Sequence, residues 1–183
     1  MTTSASPSIE IVIESALWAG EPAAEAVVRD AIATAAAVVG AAPGRIRPVS
    51  AGQVSAGEVS VVLTDDDAIR RLNRVWRRID KPTNVLSFPA ANLPAAKLPM
   101  ANRSDPSSPL LGDIIIAYET TAHEAAAAPK SFAHHVAHLA VHGFLHLLGY
   151  DHDSDEEAEE MERLEAGILA RLDVPDPHMT RGT

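Results

Sequence analysis

The chain has 183 residues, of which 46% are hydrophobic and 22% charged, with a formal net charge of −10. That length fits one domain with a real core, and the absence of cysteine excludes a disulfide framework and thiolate metal ligands. Eleven of the 25 acidic side chains but only three of the 15 basic ones follow Tyr150, so the negative charge is C-terminal and a nucleic-acid surface elsewhere is compatible with it.

Residues 1–7 read as a disordered polar lead, 8–174 as one domain and 175–183 as a tail. Ser8–Glu14 alternates Ile9, Ile11 and Ile13 and predicts a strand. Residues 22–42 predict an alanine-rich helix with Ala23, Ala26, Val27, Ile32, Ala35 and Val38 or Val39 on its buried stripe. Glu58–Thr64 is β-branched and predicts a second strand. Thr64 or Asp65 caps a helix running to about Ile79, and Asn84–Phe88 is a short third strand. Residues 90–109, with Pro94, Pro99, Pro106 and Pro109, read as a long loop. Gly112–Tyr118 is a buried fourth strand, followed by a short helix over about 119–127. Ser131 caps a helix ending near Gly149. Asp153 with Glu156 approaches a capping box opening the last helix, whose apolar stripe is Ala158, Met161, Leu164, Ile168 and Leu172. Its acidic run from Asp153 to Glu165 reads as a solvated face. No secretory signal is expected. The longest mostly apolar run, from Ala31 to Ala42, is shorter than the roughly 20 residues a bilayer needs. A cytoplasmic protein with no membrane partner is expected. The fold class is α+β, a mixed sheet of about four strands packed by about five helices, one of them a zincin-like metal-site helix.

Within that helix, His142 and His146 stand one turn apart and project from the same face. Gly149 ends the helix in a left-handed cap, and the return brings His152 toward the pair. Three imidazoles converging in this way suit a zinc site with one position open, and zinc lowers the pKa of bound water toward about 7. His138, a further turn back, reads as a residue supporting the site or as an ordinary helix histidine. His134 and His135 read as surface or packing residues. Asp151 either holds a ligand imidazole or stabilises the turn. The segment from His146 through Gly149 to His152 is similar to the latter half of the metzincin protease motif, in which a glutamate base follows the first histidine. Here that residue is Gly143, which carries no base.

On the helix from Asp65, Ile69, Leu72, Trp76 and Ile79 form an apolar stripe, and Arg70, Arg71, Arg74, Arg77 and Arg78 share the opposite arc. That arc reads as a phosphate track or as an ordinary solvated face. Ser87, at the end of its strand beside Pro89, is a candidate for lining the site and contacting substrate. No triad accompanies it, so it is not read as a nucleophile.

The run His142-Gly143-x-Leu145-His146-Leu147-x-Gly149-Tyr150-Asp151-His152 resembles the signature of the YbeY family of bacterial endoribonucleases. Leu72-Asn73, Trp76-Arg77, the stretch from Asp80 to Pro89 and Leu111-Gly112-Asp113-Ile114 add to the resemblance, which covers roughly 58–173. Trp76 stands where the family often has tyrosine or phenylalanine, and Arg78 where a small residue is common. The resemblance implies a single-strand-specific, metal-dependent endoribonuclease in maturation of ribosomal RNA, notably the small-subunit 3′ end, and in ribosome quality control. It implies one Zn2+ per chain on His142, His146 and His152, a catalytic role for Arg77, and RNA with the ribosome or its proteins as partners. Arg70, Arg74, Arg77 and Ser87 are the candidate substrate contacts. Two rivals remain at this point: a metallopeptidase on the same helix, and a non-enzymatic ribosome assembly factor that zinc only stabilises.

Overall fold

The β-branched run Glu58–Thr64 lies at the centre of the fold, with every residue buried. A strand covered on both faces needs apolar residues at consecutive positions, which Val59, Val61, Val62 and Leu63 supply. The computed structural model describes residues 6–41, 51–92 and 108–179. In order these form β1 (Ser8–Ile13), a 3-10 turn (Ala16–Gly20), α1 (Ala24–Ala41), α2 (Ala51–Ala56), β2 (Glu58–Thr64) and α3 (Asp66–Arg77). Then come β3 (Val85–Pro89), β4 (Leu110–Ala117), α4 (Tyr118–Ala127), α5 (Phe132–Leu147) and α6 (Asp155–Arg171).

The four strands make one mixed sheet in the order β1-β2-β4-β3. β1, β2 and β4 are parallel, and β3 pairs antiparallel with β4, Ser87 opposite Ile114 and Pro89 opposite Gly112. Alternate residues of the central strands feed two cores. Val59, Val61, Leu63, Ile114 and Ile116 pack with α1, α5 and α6. Val62 and Ile115, with Leu86 and Phe88 of β3, pack under α3 through Ile69, Leu72 and Trp76. The Trp76 and Phe88 rings meet edge to face at 5.5 Å. The expected α+β class and four-stranded mixed sheet are present. A sixth helix, α2, lies where no helix was expected.

Several local expectations shift. The buried residues of α1 are Ala24, Val28, Ala31, Ile32, Ala35 and Ala36, and Ala23 and Ala26 are exposed. Nearly every residue of that helix is small and apolar, so packing on α5 and not the pattern selects the face. Asp65 caps α3 by accepting from Ala68 N at 2.9 Å. Arg78 leaves the helical arc, because it takes the left-handed conformation (φ 62°) that ends α3, and Ile79 beyond it is exposed. The capping box of α6 sits one residue later than expected, between Ser154 and Glu157. Most of the expected long loop, residues 93–107, lies outside the described residues, as do residues 1–5. Among the described residues no helix is long and apolar enough to cross a membrane.

Candidate metal centre

Ser131 starts α5 by accepting from His134 N. The helix then runs through the core, with Leu139, Val141, Phe144, Leu145 and Leu147 buried. It ends as expected at Gly149, which has φ 90°. Gly149 N donates to His146 O at 3.0 Å and Tyr150 N to Leu145 O at 3.1 Å, the paired bonds of a Schellman cap. Tyr150 is buried, which anchors the return, and the Asp151 carboxylate accepts from His152 N at 2.9 Å. These constraints swing His152 back over the helix.

The result is a cluster of three imidazoles. Ring centroids are 4.6 Å apart for His142 and His146, 4.7 Å for His146 and His152, and 5.3 Å for His142 and His152. One nitrogen from each lies within 4.8 Å of the others. His142 Nε2 and His146 Nε2 face each other at 3.0 Å. A tetrahedral zinc with bonds of about 2.0–2.1 Å separates its donors by about 3.3 Å, so the donor set and its spacing fit such an ion. Burial, with the neighbouring His142 and His152, pushes the His146 imidazole down to about 4. It is therefore neutral at pH 7, the form that binds a metal.

The residue that orients the cluster comes from α6. Glu165 was expected on a solvated face, but it is 2% exposed. Its Oε1 lies 2.5 Å from His142 Nδ1. A carboxylate accepting there fixes the proton on Nδ1 and leaves Nε2 for a metal. Burial pushes the Glu165 carboxyl up, but the His138 and His142 imidazoles outweigh it and hold it well below the usual carboxylate range. The sequence held one signal for this. Glu165 falls between Met161 and Ile168 on the apolar stripe of α6, where a carboxylate needs a buried partner. His178, which lies in the stretch read as a tail, also reaches Glu165, at 3.2 Å.

The imidazoles open into a cleft of about 770 Å³. Its other wall is the edge strand β3 with the residues before it, Thr83 to Ser87 and Pro89, together with Arg77 and the return from Gly149 to Asp153. The structure thus brings Arg77 and Ser87 to the histidines. Ser87 Oγ donates to Gly143 O at 3.2 Å, tying β3 to α5. Arg70 and Arg74 do not line this cleft. Arg70 instead makes two bonds to Asp80, at 2.9 and 3.2 Å, which raise the Arg70 pKa and lower that of Asp80. Two asparagines of the resemblance hold the wall in place. Asn73 Nδ2 donates to Lys81 O and Asn84 Nδ2 to Glu124, each at 2.9 Å. Glu124 also bonds His135 at 2.7 Å, so His135 is a packing residue.

Gly143 does more than lack a base. A Cβ there would lie 2.9 Å from Ile114 Cγ2 and 3.1 Å from Ser87 Oγ. The helix sits so close to β3 and β4 that a side chain at residue 143 requires the Ile114 and Ser87 side chains to give way.

Comparison with known proteins gives the family of the chain. The profile of a family described as Endoribonuclease YbeY matches residues 24–173. A Bradyrhizobium protein named Endoribonuclease YbeY is 50% identical over 182 residues, covering 99% of this chain and 98% of its own. A Rhodopseudomonas palustris protein of the same name is 52% identical over 178 residues, covering 97% of this chain and 84% of its own. The solution structure of TM1509 from Thermotoga maritima shares the fold at a TM-score of 0.51 and 20% identity, covering 93% of this chain and 98% of that one. With three quarters or more of its length matched by profile and relatives alike, the chain belongs to the YbeY family of endoribonucleases.

Proposed function

We propose that the cleft cleaves single-stranded RNA, with His142, His146 and His152 holding one Zn2+ per chain. Arg77 acts on the reacting phosphate, and Ser87 lines the path of the strand. The observation that carries this reading is the joint presence of three imidazoles and the Arg77 guanidinium around one cleft. When bound, a divalent ion there supplies Lewis acidity to the reacting phosphodiester. The chain's own residues do the rest. Glu165 holds His142 in the tautomer that presents Nε2, and the Gly149 cap places His152. Arg77 meets the added negative charge with a planar, permanently charged donor set suited to phosphate. The metallopeptidase reading is disfavoured by Gly143, since a glutamate base there would collide with Ile114 and Ser87.

Family membership supports a place in ribosomal RNA maturation, notably at the small-subunit 3′ end, and in ribosome quality control. Ribosomal RNA, with the ribosome or its proteins, is the proposed partner in the cytoplasm. The test is cleavage of single-stranded RNA, duplex RNA and unstructured protein by metal-stripped and zinc-loaded enzyme. Zinc-dependent cleavage of the single strand alone is expected, abolished by His142→Ala or His146→Ala. Undiminished cleavage by those variants sinks the proposal, and zinc binding with no turnover of any RNA leaves the assembly-factor reading.

A further inference from the structure

Beside the three-histidine cluster lies a second group of donors that the cleft does not use. His138 stands one helical turn before His142 on α5, Glu165 on the buried side of α6, and His178 beyond the end of α6. Glu165 Oε2 is 3.2 Å from His178 Nε2 and 3.5 Å from His138 Nε2. One ligand atom from each of the three residues lies within 4.8 Å of the other two. The two carboxylate oxygens are divided between the groups, because Oε1 is engaged by His142 Nδ1.

A further observation points to a ligand. Both ring nitrogens of His138 are buried and, among the described residues, Nδ1 has no polar partner and Nε2 has only the Glu165 oxygen at 3.5 Å, outside good hydrogen-bond geometry, although buried polar groups in folded proteins are almost always satisfied. His178 is presented with its far nitrogen facing a second carboxylate, Nδ1 being 4.0 Å from Glu162 Oε1. Nε2 meets the Glu165 carboxylate at 3.2 Å, and a metal entering there would displace the proton of that bond and take both the imidazole lone pair and the carboxylate oxygen. The turn itself is set by Asp176, whose Oδ1 accepts from His178 N at 2.8 Å.

We propose that His138, Glu165 and His178 form a second divalent transition-metal site, adjoining that of His142, His146 and His152 and joined to it through the Glu165 carboxylate. Two imidazoles and one carboxylate suit zinc or a similar first-row ion, whereas magnesium and calcium prefer sets of oxygen ligands. An ion there gives His138 Nε2 a partner, pins the segment after α6 onto α5, and draws on the same carboxylate that orients His142. Occupancy of one site thereby modulates affinity at the other. The second site stands on its own donors and does not require the RNA reading.

The test uses the full chain, stripped with chelator and titrated with Co2+, with bound metal counted by elemental analysis after desalting. Wild type is expected to retain two ions, His178→Ala one, His146→Ala one, and the double variant none. His138→Phe, which keeps a ring of similar volume without donors, is expected to match His178→Ala. Circular dichroism melts establish that each variant is folded. One ion in wild type, lost in His146→Ala and kept in His178→Ala, overturns the proposal. So does a second ion that survives both His178→Ala and His138→Phe. One ion kept in His146→Ala and lost in His178→Ala would instead support this site and remove the three-histidine one.

Discussion

Glu165 Oε1 and His142 Nδ1 lie 2.5 Å apart, with the carboxylate 2% exposed between α5 and α6. Glu165→Gln keeps the shape and a carbonyl oxygen but removes the charge that makes His142 a strong donor to metal. Loss of such an orienting carboxylate typically costs about 10–100-fold in metal affinity. That loss is expected at the three-histidine site, read by zinc competition against a chelating dye. Asp151→Asn is expected to cost less, since the Asp151 bond is to a backbone amide in the turn. Equal affinities for wild type and Glu165→Gln would show that Glu165 does not orient the ligand.

Two helical glycines give opposite expectations. Gly143→Ala forces a Cβ to within 2.9 Å of Ile114 Cγ2 and 3.1 Å of Ser87 Oγ. Overpacking of this kind costs about 1–3 kcal/mol, against about 1 kcal/mol that alanine gains over glycine in a helix interior. Among the described residues a Cβ on Gly167 in α6 meets nothing within 4 Å, so Gly167→Ala keeps the full propensity gain of about 1 kcal/mol. Urea denaturation is expected to lower the midpoint for the first and raise it for the second. Gly143→Glu is expected to bring no peptidase activity, because the side chain has no space in which to reach the imidazoles.

Much of the architecture was legible because periodicity and caps are local. The run Glu58–Thr64 is a strand to the residue, and Asp65 and Ser131 cap the helices they were expected to cap. The three histidines converge because their spacing is fixed by one helix and one glycine turn. What stayed hidden depends on contacts between distant segments. Glu165 looks like one more acid in an acidic helix until α6 is laid on α5, and His178 lies in what reads as a tail. On α1 the exposed Glu25, Arg29 and Asp30 mark the solvent side and Ile32 and Ala35 are buried as expected, but alanines carry no such mark, so Ala23 and Ala26 were placed on the wrong face. The basic arc of α3 looked uniform, yet Arg70 is committed to Asp80, ten residues on, while Arg77 faces the cleft.

Gly149 carries the geometry that delivers His152. With φ 90°, it occupies a region where a Cβ is strained. Gly149→Ala is expected to destabilise the fold by about 1 kcal/mol and to weaken metal binding beyond that, because relaxing the cap moves His152 away from the helix pair. Metal affinity falling while the midpoint in urea shifts only slightly is the expected pattern. Unchanged affinity would show that His152 is placed by something other than the cap.

Arg77 and Arg70 separate a reacting-site role from a surface role. Arg77→Ala removes a cation from the cleft wall, and deleting one such stabilising donor lowers kcat by about 10²–10³-fold. Arg70→Ala breaks two bonds to an exposed aspartate and touches no cleft residue. Its effect on kcat is expected to stay below about tenfold, since it lies outside the reacting site. If neither arginine alters the salt dependence of RNA binding, the phosphate reading of α3 fails. A lost contact to single-stranded RNA reduces the slope of log K against log salt by about 0.7. The Arg70 pair also has a pH signature. Its hydrogen bond holds the Asp80 carboxyl below the usual carboxylate range. A folded pKa below the unfolded one gives stabilisation that is present above the unfolded value of about 3.9 and lost as pH falls through the folded value. In carboxyl-detected NMR titrations the Asp80 midpoint is expected below that of an ordinary aspartate in wild type, and to rise toward it in Arg70→Ala. A midpoint that does not move would mean that the pair is not formed in solution, and Arg70 would then be free to join Arg77 on RNA.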